Sequence, residues 1–181
     1  TVLISGGSRG ARSINTAMIE VHEHFKDNPD IKLIHLTGSG EYHSVTQALD
    51  MEEGQEEYGQ SSLILPYLHD MPKALAAADL AIFRAGAIGL AELAVRGIPS
   101  VLIPFPYAAE DHQTFNAQIF VQRGAAHMIV DKALTSHDLI EEIESFMNNP
   151  HMCQRMAQAA KDLGKPNAAK DIADLALEIA K

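Results

Sequence analysis

Leu80-Ala81-Ile82-Phe83-Arg84-Ala85-Gly86-Ala87-Ile88-Gly89-Leu90-Ala91-Glu92 passes from four consecutive residues of strand character, through a turn of small residues, into a helical pattern. A strand feeding a glycine-bearing turn and then a helix is the opening of one β-α unit in a parallel sheet. The same order repeats in both directions from this stretch. Strands are expected at residues 2–5, 32–37, 62–65, 80–83, 100–104 and 126–130. Most of these runs are nearly continuously apolar, the signature of strands buried on both faces.

Helical patterns lie between them. Ile14, Met18, Val21 and Phe25 form one apolar stripe that Pro29 ends. A short helix over residues 88–95 stops at Gly97-Ile98-Pro99, and others follow over 112–123 and 135–148. The last of these opens with capping-box spacing from Thr135 to Asp138. Residues 150–181 carry no strand signal and read as two terminal helices meeting at Gly164-Lys165-Pro166. Ala169, Ile172, Ala173, Leu175, Ala176 and Ile179 share a face of the final one. The expected fold is a doubly wound α/β domain over residues 1–181, with a parallel sheet of about six strands. The acidic stretch Glu52-Glu53-Gly54-Gln55-Glu56-Glu57 reads as a solvated loop.

Bulk properties narrow the function. The chain has 181 residues, enough for one core without cross-links, and an ordinary 46% of apolar residues. A formal charge of −10 excludes phosphate-rich partners held by bulk charge, both nucleic acid and anionic lipid surfaces. A phosphate-bearing ligand here has to be held by backbone dipoles. Cys153 is the one cysteine, so no internal disulfide forms, which fits a reducing, cytoplasmic setting. No apolar run approaches the roughly 20 residues that span a bilayer, and no signal peptide is visible. The chain starts at Thr1 without a methionine and already inside a strand, so it is expected to be a piece of a longer protein.

In an open parallel sheet, ligands lie beyond the carboxyl ends of the strands. Four turns at that edge carry unusual residues. Ser5-Gly6-Gly7-Ser8-Arg9-Gly10-Ala11-Arg12 follows the first strand; its glycines let amides approach an anion, and Ser8 adds a hydroxyl. It is neither the dinucleotide fingerprint nor a Walker loop, and it also reads simply as a tight strand-helix connection. The Arg84–Glu92 turn is a second amide cluster. Glu92 there serves either a helix dipole or the hydroxyls of a ribose. In Pro104-Phe105-Pro106-Tyr107-Ala108-Ala109-Glu110-Asp111-His112-Gln113-Thr114-Phe115-Asn116, Asp111 reads as an N-cap or a ligand group. Gln113 and Asn116 have amides suited to sugar hydroxyls. In the fourth, Tyr67 and Leu68 offer a stacking ring and a free backbone, or alternatively local core. The nine histidines lack metal-ligand spacing, so no metal is expected. Cys153 is not expected to act as a nucleophile, and hydrolase chemistry is taken as unsupported.

Gly6-Gly7-Ser8-Arg9-Gly10-Ala11, Arg84-Ala85-Gly86-Ala87 with Glu92, Pro104-Phe105-Pro106-Tyr107, Asp111-His112-Gln113 and Asn116-Ala117 stand in this order along essentially the whole chain. Together they resemble the C-terminal half of the MurG family, glycosyltransferase family 28. The resemblance implies the donor half of a two-domain GT-B enzyme. Such enzymes transfer N-acetylglucosamine, with inversion, from UDP-N-acetylglucosamine to lipid I, forming lipid II in peptidoglycan synthesis. It also implies no cofactor and no obligatory metal. By the same resemblance Ser8 contacts the donor pyrophosphate, Leu68 presents its backbone to uracil and Tyr67 covers the ring. Ala87, Ile88, Gly89, Leu90 and Ala91 line the phosphate and ribose, Glu92 holds the ribose hydroxyls, and Gln113 reaches the N-acetylglucosamine. Gly7, Arg9, Gly10, Arg84, Gly86, Asp111, His112 and Asn116 are expected in support. Family members commonly carry threonine where this chain has Gly89, so contact there falls to the backbone.

The family's acceptor pocket, membrane-docking patch and general base belong to an N-terminal domain not in this sequence. The implied partners are therefore a UDP-sugar and, through that domain, a lipid-linked acceptor at the inner face of the plasma membrane. Family chains end in a helix that crosses back to the N-terminal domain, so the Ile172–Ile179 stripe is expected to drive a homodimer or to be buried locally. Two other readings are kept. One is a different GT-B enzyme of UDP-sugars, a 2-epimerase or glycolipid transferase; the other is a non-catalytic donor-binding subunit of a split transferase.

Overall fold

The computed structural model describes residues 1–180. Seven strands form one sheet: β1 (Val2–Ser5), β2 (Leu33–Leu36), β3 (Glu57–Tyr58), β4 (Ser62–Leu65), β5 (Leu80–Phe83), β6 (Ser100–Leu102) and β7 (Ala126–Met128). Their spatial order is β3-β4-β2-β1-β5-β6-β7, parallel throughout except for β3. Eight α-helices accompany it among the described residues: α1 (Arg12–Phe25), α2 (Tyr42–Ala48), α3 (Met71–Ala77), α4 (Ala87–Arg96), α5 (His112–Gln122), α6 (Ser136–Asn148), α7 (Pro150–Leu163) and α8 (Ala168–Ile179).

Alternation along each strand sends successive side chains to opposite faces. Val2 and Ile4, Leu80 and Ile82, and Val101 and Ile103 enter a core with Ile14, Met18 and Phe25 of α1 and Leu139 and Ile143 of α6. Leu3, Ala81 and Phe83, and Leu102 enter the other core with Leu75, Leu90, Leu93 and Phe120. Helix α7 serves both, through Met156 on one side and Ala160 on the other. Burial on both faces is why the strands read as unbroken apolar runs.

All six expected strands are present, and the Thr135–Asp138 capping box forms with both reciprocal bonds. Three elements escaped sequence reading. Strand β3 begins at Glu57 within the acidic stretch and pairs antiparallel with β4, where Tyr58 is buried against Val45, Leu49 and Ile64. Helix α2 buries only Val45 and Thr46, too few positions for a stripe. Helix α3 begins Met71-Pro72, a pair that reads as loop although proline is at home in a first helical turn. No helix among the described residues is long and apolar enough to cross a membrane.

The chain runs outward from β1 to β2 and β4, then returns to place β5 on β1's other side. The order therefore reverses between β1 and β5, and the connections leaving these adjacent strands diverge to open a crevice. The stretch quoted first, residues 80–92, enters that crevice from β5.

The core also encloses His22 of α1 and His35 of β2, stacked with ring centroids 5.2 Å apart. Burial lowers His22 to about 4 and holds His35 well below the usual histidine range, with His22 adding repulsion. Both are therefore neutral when folded but bind protons near pH 6.5 when unfolded, so stability is full above that pH and is lost as pH falls from 6.5 towards 4. His22 alone is expected to withdraw about 2 kcal/mol by pH 5. Urea midpoints at pH 7.5 and 5 measure this, and an unchanged midpoint contradicts it.

Candidate functional site

Four strand ends border a cleft of about 620 Å³ at the reversal point. After β1 come Gly7 and Ser8; after β2, Gly38; after β4, Pro66, Tyr67 and Leu68; after β5, Gly86, Ala87, Ile88, Gly89 and Glu92. Leu36, Met71 and Phe83 make an apolar wall. No lysine or arginine lines the cleft, and Glu92 is its only charged side chain.

The turn after β1 is shaped by contacts that exclude side chains. A Cβ on Gly10, whose φ is +76°, would lie 1.9 Å from the Thr37 carbonyl oxygen. A Cβ on Gly38 would lie 2.5 Å from the Arg9 carbonyl and the Gly10 nitrogen. The backbones beyond β1 and β2 thus touch directly, and Gly10 N–H closes the turn on the Gly7 carbonyl at 2.9 Å. Gly7 is also left-handed and donates to Ser5 Oγ at 3.2 Å.

Helix α4 starts at an uncapped Gly86, and its ladder begins with Leu90 N–H to the Gly86 carbonyl at 3.0 Å. The amides of Ala87, Ile88 and Gly89 precede that first bond, so they lack helical partners, and these residues line the cleft. No acidic residue occupies the first turn. Positive dipole ends and unpaired amides make this an anion site without any cation. Glu92 sits one turn further along the helix. It forms no hydrogen bond or ion pair among the described residues, which leaves a half-buried carboxylate open to hydroxyl donors. Tyr67 stands exposed at the rim, edge-on to His69.

The cleft gathers Gly7, Ser8, Tyr67, Leu68, Gly86, Ala87, Ile88, Gly89 and Glu92 of the expected set, and leaves others out. Leu90 is buried in the core, and Ala91 is exposed outside the lining. Gln113 accepts the Phe105 N–H at 3.0 Å, folding that loop onto α5, and Asn116 donates to the Ala85 carbonyl at 3.1 Å. Asp111 occupies the N-cap position of α5 but makes no backbone cap. Its φ is +53°, beside an equally left-handed Glu110, and its carboxylate accepts from Thr114 Oγ1 at 2.6 Å. His112 Nδ1 bonds the Ala109 carbonyl at 2.8 Å, and Arg9 is exposed beyond the lining.

Arg84 points to the opposite side of the β1–β5 junction. Its guanidinium donates to the Ile103 and Pro104 carbonyls at 3.1 Å and to Ser13 Oγ at 2.9 Å, and pairs with Asp131 at 2.5 Å. It ties strand ends together rather than reaching the cleft. Leu36, Met71 and Phe83 were missed because apolar walls carry no local motif, and Gly38 because its role is a backbone approach to Arg9 and Gly10, which lie far from it in sequence. Gly6-Gly7-Ser8-Arg9-Gly10 also has nucleophile-elbow spacing, which the dismissal of hydrolase chemistry overlooked. Ser8 has no histidine bonded to it among the described residues, so the base that such chemistry requires is not in place.

A family model described as the glycosyltransferase family 28 C-terminal domain matches residues 1–174. The chain belongs to that family. It is 44% identical over 182 residues to the UDP-N-acetylglucosamine--N-acetylmuramyl-(pentapeptide) pyrophosphoryl-undecaprenol N-acetylglucosamine transferase of Halothermothrix orenii, covering 99% of this chain and 48% of that protein. The crystal structure of MurG from Acinetobacter baumannii matches with a TM-score of 0.80 at 30% identity, over 97% of this chain and 48% of that one. The calicheamicin glycosyltransferase CalG4, with a TM-score of 0.71 at 16% identity over 99% of this chain and 44% of that one, shares the fold alone. The chain spans about half the length of the curated relatives it matches. The doubly wound domain is thus one Rossmann-like half of a GT-B architecture.

Two glycines, Gly10 in the turn bordering the cleft and Gly89 in its lining, separate fit from freedom. Gly10→Ala places a Cβ inside the Thr37 carbonyl at a left-handed φ, and is expected to cost about 2 kcal/mol or more. Gly89 is helical, and a Cβ there meets the Phe83 ring, at 3.5 Å from Cδ1 and 3.8 Å from Cε1, both ordinary contacts. Gly89→Ala is expected to gain about 0.5 kcal/mol from helix propensity. Thermal unfolding of the two variants should therefore shift in opposite directions, and equal shifts would contradict the contact map.

Proposed function

We propose that this chain is the donor-binding half of an inverting N-acetylglucosaminyltransferase that uses UDP-N-acetylglucosamine and a lipid-linked acceptor to build the peptidoglycan precursor lipid II. The observation that carries the reading is the cleft's composition: unpaired amides of α4, an unpaired Glu92 one turn later, and an apolar wall beside them, with no cation. A diphosphate suits the amides, a ribose diol suits Glu92, and a uracil suits the space beside Leu68 and Tyr67. Family membership and the named activity of the Halothermothrix orenii relative support the same assignment.

In this role the chain stabilises the departing UDP. Negative charge grows on the β-phosphate as the glycosidic bond breaks, and pre-oriented amides at a helix N-terminus meet it without reorganisation. Apart from Glu92 no carboxylate or imidazole lines the cleft, so deprotonation of the acceptor hydroxyl is assigned to the other half of the transferase. Gln113 is assigned to the sugar hydroxyls through its side-chain NH2, while its Oε1 accepts from the Phe105 amide.

Helix α8 fits the same picture. None of its residues is buried, and Ile172, Leu175, Leu177 and Ile179 are largely exposed, so the local burial expected for its stripe does not occur. We assign this face to packing on the rest of a longer chain, with a homodimer as the arrangement of the chain alone. The complete enzyme is placed at the inner face of the plasma membrane.

Calorimetric titration with UDP-N-acetylglucosamine, UDP and NADH tests the site. UDP compounds should bind and NADH should not. Glu92→Ala should weaken UDP about 10-fold or more, the worth of charge-assisted bonds to a diol. Absence of UDP binding to the folded chain, or an unaffected Glu92→Ala, would sink the assignment.

A further inference from the structure

The buried histidines lie in a single unbranched hydrogen-bonded chain that ends at the turn bordering the cleft. Ser62 Oγ meets His22 Nδ1 at 2.8 Å, His22 Nε2 meets His35 Nδ1 at 3.0 Å, and His35 Nε2 meets Asn15 Oδ1 at 3.0 Å. Asn15 Nδ2 then donates to the Thr37 carbonyl at 2.9 Å. Every member is buried.

The direction of each bond follows by elimination. Thr37's carbonyl only accepts, so Asn15 presents its amino group there and its carbonyl oxygen to His35. That oxygen only accepts, so His35 Nε2 carries a hydrogen. A neutral His35 then accepts at Nδ1, which puts a hydrogen on His22 Nε2. His22 Nδ1 accepts in turn, from the Ser62 hydroxyl. One assignment satisfies every atom with no charge, whereas a half-satisfied buried chain would be costly.

The far end of this chain is the contact that shapes the cleft. The Thr37 carbonyl receiving Asn15 is the group against which Gly10 packs, and the next residue, Gly38, packs on Arg9 and Gly10 and lines the cleft. A carbonyl fixed from one side by an amide donor leaves one seat for Gly10 on the other. We propose that Asn15, with its amide orientation set by the stacked His35–His22 pair, is the positioning residue for the Gly6–Gly10 turn and hence for donor binding. This rests on the donor-site reading above. Neither Asn15 nor the histidines line the cleft, so their effect on a ligand passes through Thr37 and Gly10.

Asn15→Ala, His35→Leu and His35→Gln discriminate. Glutamine can donate to Asn15 and accept from His22 through one amide, whereas leucine fills space without either bond. Two quantities are read on variants shown to be folded by circular dichroism: hydrogen exchange of the Gly10 amide against that of Ile82, and UDP affinity by calorimetry. Asn15→Ala and His35→Leu should speed Gly10 exchange about 10-fold, leave Ile82 unchanged and weaken UDP about 10-fold, with His35→Gln within about twofold of the parent on both. A folded Asn15→Ala with parental Gly10 exchange and UDP affinity would overturn the proposal. So would a glutamine variant as impaired as leucine, since bulk rather than hydrogen bonding would then be at work. If the parent itself binds no UDP, the donor-site reading fails and Gly10 exchange alone decides this one. If His35→Leu does not fold, Asn15→Ala against His35→Gln decides it.

Discussion

The cleft depends on two backbones meeting where side chains are excluded. Gly10 lies against the Thr37 carbonyl and Gly38 against Arg9, so the connections beyond β1 and β2 form one unit. β1 is central to the sheet, and the order reverses on its β5 side. A shift in the Gly10 turn would therefore be felt on both sides: toward β2, through Gly38, and toward β5, across the crevice to α4. The sheet supplies the frame, while glycines at the strand ends decide how closely the two sides approach.

Charge follows from the same arrangement. A chain with net charge −10 and no cation in its cleft cannot attract a diphosphate by surface potential. What it offers is local and oriented: amides at the start of α4, with no acidic residue in the first turn to compete for them. Glu92 one turn later is far enough along not to occupy the amide end, yet still on the cleft. The position matters, because a carboxylate in the first turn would have neutralised the dipole end that a phosphate needs.

Much of this was legible in the sequence, for identifiable reasons. Strands buried on both faces announce themselves as apolar runs, and residues 2–5 and 80–83 were placed to the residue. Glycine turns at strand ends carried the cleft's floor. The reading failed where the signal is not local. The wall formed by Leu36, Met71 and Phe83 looks like ordinary core in sequence. Arg84 sat in a motif yet turned to Asp131, a partner 47 residues away that no spacing rule links to it. Helix α2 buries too little to show a period, and β3 exists only because β4 offers it an edge. The histidines were weighed only for metal-ligand spacing, which they lack, and nothing local in sequence pairs His22 with Ser62 or His35 with Asn15.

The account stands or falls on where a uridine diphosphate settles. Amide chemical-shift mapping of the chain during titration with UDP should move Gly7, Ser8, Gly38 and the run from Gly86 to Glu92, and leave the groove between β7 and α6, around His127 and Glu142, unchanged. Shifts confined to that second groove, or none at saturating UDP, would contradict it.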